Sequence, residues 1–239
     1  MNSSSTSSPS ASPVRTSQDR VIVITGATGA LGQKTAHTFA EAGHALALLD
    51  NDQNKLDSLV KDLNLPEDRL FTSVVDLRNG QAVQDSAEAV ANKFGIVHAL
   101  FHLVGGWVGG DTIADTSEDD LNFMLGQHVM TTFNLFKAFS LKLAASGWGR
   151  VITISPSTVA NPPAERGVYN ASKAAQETLV LTLAQELKAS NVTANIIQVR
   201  AIDVENKGTG TTPEVIVATM QYLFSEQAGK VNGAKIPLY

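Results

Sequence analysis

Val21-Ile22-Val23-Ile24, followed at once by Thr25-Gly26-Ala27-Thr28-Gly29-Ala30-Leu31-Gly32 and a helical pattern to about residue 42, constrains this chain more than any other stretch. An unbroken β-branched run is what a strand needs when both its faces are covered, as in a parallel sheet. Parallel strands must be joined by crossovers, and helices supply them. The rest of the chain repeats that logic. Strands are predicted over 45–49, 70–75, 99–103, 150–154, 192–199 and 235–238, with helices over 53–63, 81–94, 120–143, to about 187 and over 213–224. Strands alternating with helices predict an α/β, doubly wound parallel sheet with helices on both faces and right-handed crossovers.

A chain of 239 residues that is 43% hydrophobic and 17% charged can bury a core of that size as one domain. Residues 1–19 differ in being Ser- and Pro-rich and lacking hydrophobic periodicity, so a disordered tail is expected there and the folded domain over 20–239. A transit peptide would be richer in Arg than this segment, which offers only Arg15 with Arg20 just after it. The absence of cysteine excludes a disulfide framework and thiolate catalysis. A formal charge of −5 gives no electrostatic reason to bind nucleic acid or an anionic membrane. No apolar run approaches the roughly 20 residues that span a bilayer, and a cytoplasmic location is expected. The five histidines show no metal-ligand pattern, so no metal is expected.

Glycines between a buried strand and a helix let the backbone approach a pyrophosphate, whose charge is favoured at the helix N-terminus. The segment Gly26, Thr28, Gly29, Ala30, Leu31 and Gly32 is therefore expected to bind a dinucleotide. Asp50, at the end of the second strand, lies where a carboxylate accepts hydrogen bonds from the adenosine ribose, or else where it caps the following helix. A carboxylate there repels a 2′-phosphate, and no Arg or Lys stands at 51–54, so NAD(H) is favoured over NADP(H). Asp76 and Leu77 close the third strand, where they can flank the adenine. Val104 and Gly105 open a glycine-rich loop that allows close passage of the cofactor, and its Trp107 lines a substrate pocket or plugs the core.

Tyr169 and Lys173 are one helical turn apart on the same face. A phenol is a poor acid or base near neutrality, and a nearby ammonium favours its ionised form, so the pair is suited to proton exchange with an alcohol or carbonyl.

With the glycine turn, Asp50 and Tyr169-Asn170-Ala171-Ser172-Lys173 in order, residues 20–239 resemble the short-chain dehydrogenase/reductase family. The resemblance implies a single Rossmann-like domain with a seven-stranded sheet. It also implies NAD(P)-dependent exchange of a secondary alcohol and a ketone, a small carbonyl or alcohol substrate, and a homodimer or homotetramer built on the long helices. Tyr169 would be the acid/base, and Lys173 would hold the nicotinamide ribose and lower the phenol's pKa. Asn195 falls where the family often has an asparagine. Several positions depart from the usual pattern: the catalytic serine's place is held by Pro156, flanked by Ser155 and Ser157, either of which could reach the substrate. His128 stands where an asparagine is usual, as a relay or as packing. The loop 104–110 is similar to that of dihydropteridine reductases, members that use NADH without the serine. A dinucleotide-binding sensor or structural subunit without catalysis is the remaining alternative.

Overall fold

The computed structural model describes residues 19–239; the tail expected over 1–19 falls almost wholly outside them. Seven parallel strands form one sheet in the order β3-β2-β1-β4-β5-β6-β7. These are β1 Val21–Thr25, β2 Ala45–Asp50, β3 Leu70–Val74, β4 Ala99–His102, β5 Gly149–Pro156, β6 Val192–Val199 and β7 Lys235–Pro237. Helices α1 Ala30–Glu41, α2 Gln53–Leu63 and α3 Gly80–Phe94 follow the first three strands. Helices α4 Glu118–Met124, α5 Thr131–Ala145, α6 Gly167–Glu186 and α7 Pro213–Phe224 connect the others.

Each inner strand feeds two cores. Val21 and Val23 join one core with α3, α5 and α6, whereas Ile22 and Ile24 join another with α1, α2 and α7. That is the two-residue alternation of a strand, here with apolar residues at both phases because both faces are covered. The edge strands β3 and β7 are only half buried.

The helix ends follow local chemistry. Asp52, not Asp50, caps α2, its carboxylate accepting from the Lys55 N–H at 3.1 Å. Asn79 caps α3 through the Gln81 and Ala82 N–H groups, both at 3.1 Å.

Two differences from the expected elements bear on function. The helix expected over 120–143 is interrupted by a π-helical turn, Leu125–Met130. There Thr131 and Thr132 donate their hydroxyls to the Gln127 and His128 carbonyls, both at 2.6 Å. Side-chain back-bonding of this kind competes with the helical ladder and favours a wider turn. Strand β5 runs on to Pro156 rather than stopping at residue 154, because Ser155 and Pro156 stay in register with Gln198 and Val199 of β6.

The strand order reverses between β1 and β4, so the crevice at their carboxyl ends is the switch point where ligands of such sheets bind.

Candidate active site

The glycine turn sits at that crevice. Gly26 has φ +66°, and a Cβ there would lie 3.1 Å from the Leu103 and Val104 backbone. At Gly32 a Cβ would stand 2.1 Å from the Gly26 carbonyl oxygen, so only glycine lets α1 pack this close to the turn. Gly29 is the N-cap of α1 and offers no side chain, leaving the first N–H groups of the helix pointed at the crevice. Thr28 donates both its N–H and its hydroxyl to Asp50 Oδ2, at 2.9 Å each, while Asp50 Oδ1 accepts from the Asn51 N–H at 2.8 Å. Asp50 therefore fixes the turn itself, besides facing the crevice.

Gly26, Thr28, Gly29, Asp50, Asp76, Leu77, Val104 and Gly105 all line one cavity of about 360 Å³. Ala30, Leu31 and Gly32 do not: Leu31 is turned into the core, Ala30 is exposed, and Gly32 acts through the turn's geometry. Arg78 does line it, although sequence distance from Asp50 hid it. Its guanidinium is forked onto Asp76 at 2.7 to 3.2 Å, and this hydrogen bonding is the main cause that lowers the Asp76 pKa. The signal available in the sequence was an arginine just beyond a strand-ending acid.

A second cavity, of about 310 Å³, shares Leu103, Val104 and Gly105 with the first. Tyr169 and Lys173 of α6 both face it. Lys173 is buried, and its Nζ donates to the Ile154 carbonyl at 3.1 Å and to Gln176 Oε1 at 2.8 Å. Burial pushes the ammonium down to about 8, against the opposing pull of Glu177. The Tyr169 phenol is pushed up, by burial above all, with Arg166 opposing. This reverses the sequence expectation that Lys173 lowers it. The ammonium's two observed bonds go to Ile154 and Gln176, and desolvation of the phenol outweighs the charge nearby.

The two serine candidates are placed differently. Ser155 borders the cavity but is almost fully buried, and its hydroxyl donates to Glu177 Oε1 at 2.6 Å. Glu177 also accepts from Gln198 and pairs with Lys235, so the serine's proton is committed to a buried carboxylate. Ser157 is not on the cavity wall, and its N–H continues the sheet to the Val199 carbonyl at 2.8 Å. Trp107 lines neither of these two cavities and does not plug the core: it is 55% exposed, with its ring against Gly109. Asn195 bridges β6 to the last segment through the Val231 carbonyl and the Ala234 N–H.

His128 has no exposed surface to bulk solvent yet borders the second cavity. Its Nδ1 meets Ser172 Oγ at 2.8 Å, and its ring stands edge-on to Tyr169 with centroids 5.6 Å apart. Burial, then Lys173 and His102, push its pKa down to about 3, with the Gly106 carbonyl opposing, so the ring is neutral at physiological pH. The loop after β6 is held by the Asp203 carboxylate, which accepts from the Lys207 and Thr209 N–H groups at 3.0 Å each. Among the described residues no group of three or more His, Asp or Glu could hold a metal ion, and no helix is long and apolar enough to cross a membrane.

The family model for short chain dehydrogenases matches residues 20–214. This chain belongs to that family. Among its relatives is a short-chain type dehydrogenase/reductase of Picea abies, 26% identical over 221 residues, or 89% of this chain and 82% of the relative. Another is the chloroplastic NADPH-dependent aldehyde reductase-like protein of Arabidopsis thaliana, 29% identical over 82% of this chain and 77% of the relative. A third is the 7alpha-hydroxysteroid dehydrogenase of Escherichia coli K12, 26% identical over 84% and 78%. The fold matches that of NAD+-bound xylitol dehydrogenase with a TM-score of 0.80 at 23% identity, covering 93% of this chain and 99% of that one. It matches levodione reductase with a TM-score of 0.83 at 20% identity, covering 92% and 96%.

The short-chain dehydrogenase family binds a nicotinamide dinucleotide, and this member's residues fit one. The glycine turn makes room for a pyrophosphate, the α1 N-terminus has no side-chain cap, and the two cavities share Leu103, Val104 and Gly105 as a common wall.

Proposed function

We propose that this short-chain dehydrogenase interconverts a secondary alcohol and a ketone, with NAD(H) preferred over NADP(H). One observation carries the reading: Tyr169 and Lys173 face a cavity that shares Leu103, Val104 and Gly105 as a common wall with the cavity of the glycine turn and Asp50. A bound nicotinamide dinucleotide supplies or accepts the hydride. In reduction the substrate oxygen would take the Tyr169 phenolic proton, and in oxidation the phenolate would take the proton back from the alcohol. The phenol, whose pKa burial raises, is protonated at neutral pH and holds the proton that reduction would consume. Lys173, held by Ile154 and Gln176 on the same cavity wall, is placed to hold the nicotinamide ribose of a bound dinucleotide rather than to lower the phenol's pKa.

Asp50 carries the cofactor preference, since a third charge-bearing oxygen group beside its carboxylate is repelled. Arg78 lies in the same cavity, but Asp76 occupies its guanidinium. A dihydropteridine-reductase-like activity is the second reading, favoured by the engagement of Ser155 with Glu177 and by the absence of Ser157 from the cavity wall. We assign the folded domain to residues 20–239, a cytoplasmic location, and a homo-oligomer formed through the α4–α5 side, where Phe123, Met130, Phe133 and Leu141 are exposed.

The test is fluorescence titration with NADH and NADPH, followed by turnover of the wild type and Tyr169→Phe on ketones and a quinonoid dihydropterin. Tighter binding of NADH, with turnover lost in Tyr169→Phe but NADH binding kept, is the expected result. Equal turnover by the variant would refute the acid/base assignment, and failure to bind either nucleotide would refute the function.

A further inference from the structure

His128 Nε2 is a buried polar atom that meets no partner in hydrogen-bonding geometry among the described residues; the Gly106 carbonyl bears on the ring enough to oppose the fall of its pKa but does not satisfy this atom. Buried polar groups are nearly always paired, so an orphan on a cavity wall needs an explanation. The ring is not loose. Its Nδ1 is held by Ser172 at 2.8 Å, its edge packs against Tyr169, and it rides on the π-helical turn that Thr131 and Thr132 stabilise. An ordinary helical turn would advance the ring differently, and the widened turn holds it at the second cavity.

The neighbouring groups sharpen the point. Ser172 Oγ donates to the Tyr169 carbonyl at 2.8 Å, which uses its only proton. In that arrangement Nδ1 carries the ring proton and donates to Ser172, leaving a lone pair on Nε2. With the Ser172 proton turned to Nδ1, the neutral ring instead carries N–H at Nε2. One form accepts from an alcohol and the other donates to a carbonyl, so the same ring matches both oxidation states of a substrate oxygen. The serine candidates offer no such group, since Ser155 donates to Glu177 and Ser157 lies off the wall.

We propose that His128 Nε2 is the second hydrogen-bonding group, beside the Tyr169 hydroxyl, on the reacting oxygen of the substrate. It takes the place that a serine hydroxyl would otherwise fill. The assignment rests on the alcohol/ketone reading above and names a residue that the reading does not require.

Two amides separate this role from packing. A glutamine at 128 puts its terminal amide near the place of Nε2, at the cavity, whereas an asparagine restores only the contact with Ser172. The experiment measures NADH-dependent reduction of cyclohexanone, 2,3-butanedione and acetophenone by the full-length wild type, His128→Gln and His128→Asn, with NADH binding as the check on folding. Expected is a loss in kcat/KM of about 100-fold for His128→Asn, the scale of losing one donor to a reacting oxygen, and recovery to within about tenfold of wild type for His128→Gln. His128→Asn equal to or better than His128→Gln, or both equal to wild type, would overturn the proposal. Should neither variant bind NADH, Ser172→Ala removes the ring's anchor without touching the cavity, and an unchanged kcat/KM there would overturn it too. A wild type that binds NADH and reduces none of the three ketones fails the alcohol/ketone reading first, and the His128 assignment falls with it.

Discussion

Replacing Lys173 by methionine should separate what the fold spends on this side chain from what the chemistry gains by it. The ammonium is buried, and its pKa falls from 10.5 to about 8. Each unit is worth about 1.4 kcal/mol, so holding the charge inside the folded protein costs about 3 kcal/mol at neutral pH. The folded value lies below the unfolded one, so the unfolded chain keeps its proton to higher pH. Stability from this group therefore rises as pH increases through the window from about 8 to 10.5, and the cost is fully present below it. Methionine fills a similar volume without a charge, but it leaves the Ile154 carbonyl and Gln176 Oε1 without their donor, at about 1 kcal/mol each. The variant should thus be as stable as wild type at neutral pH, or more so by about 1 kcal/mol. Urea unfolding of both proteins across pH about 7 to 10 reads this directly. The wild type should gain about 2 to 3 kcal/mol relative to Lys173→Met over that range, while other titrating groups cancel in the difference. Parallel curves would mean that Lys173 keeps an ordinary pKa in the fold, and the desolvation argument would be wrong. Turnover should be lost in the variant whatever its stability.

Two further expectations concern the glycine turn. Gly32→Ala should abolish NADH binding, because its Cβ would stand 2.1 Å from the Gly26 carbonyl, whereas Gly29→Ala, whose Cβ would meet nothing closer than 3.5 Å, should bind within a few-fold of wild type; titration of both variants checks this, and equal effects would refute it. Asp50→Ala should shift preference toward NADPH and also destabilise the protein by about 1 to 2 kcal/mol, since the Thr28 N–H and hydroxyl both lose their acceptor. Paired titrations and thermal melts test the two effects separately.

The covered sheet, its order of elements and the dinucleotide crevice were all legible in residues near one another in the chain. Val21–Ile24 with Gly26 and Gly32 is local chemistry: a run of β-branched residues and a turn that no side chain fits carry the same meaning in any context. Asp50 was also legible, because its position is set by the length of one strand-helix-strand unit. Tyr169 and Lys173 needed only the pitch of a helix.

What tertiary structure decided lies where distant segments meet. Arg78 reached the crevice through β3, and Ser155 was removed from candidate chemistry by Glu177 and the register of β5 on β6. The direction of the Tyr169 pKa followed from burial, a quantity that no spacing encodes. His128 is the clearest case. Its sequence position allowed packing or chemistry, and only the π-helical turn, the Ser172 contact and the unpaired Nε2 of a ring on the cavity wall bear on the choice. Local sequence determines which backbone forms and which groups exist; the fold determines which of those groups lose water and which are left facing one another.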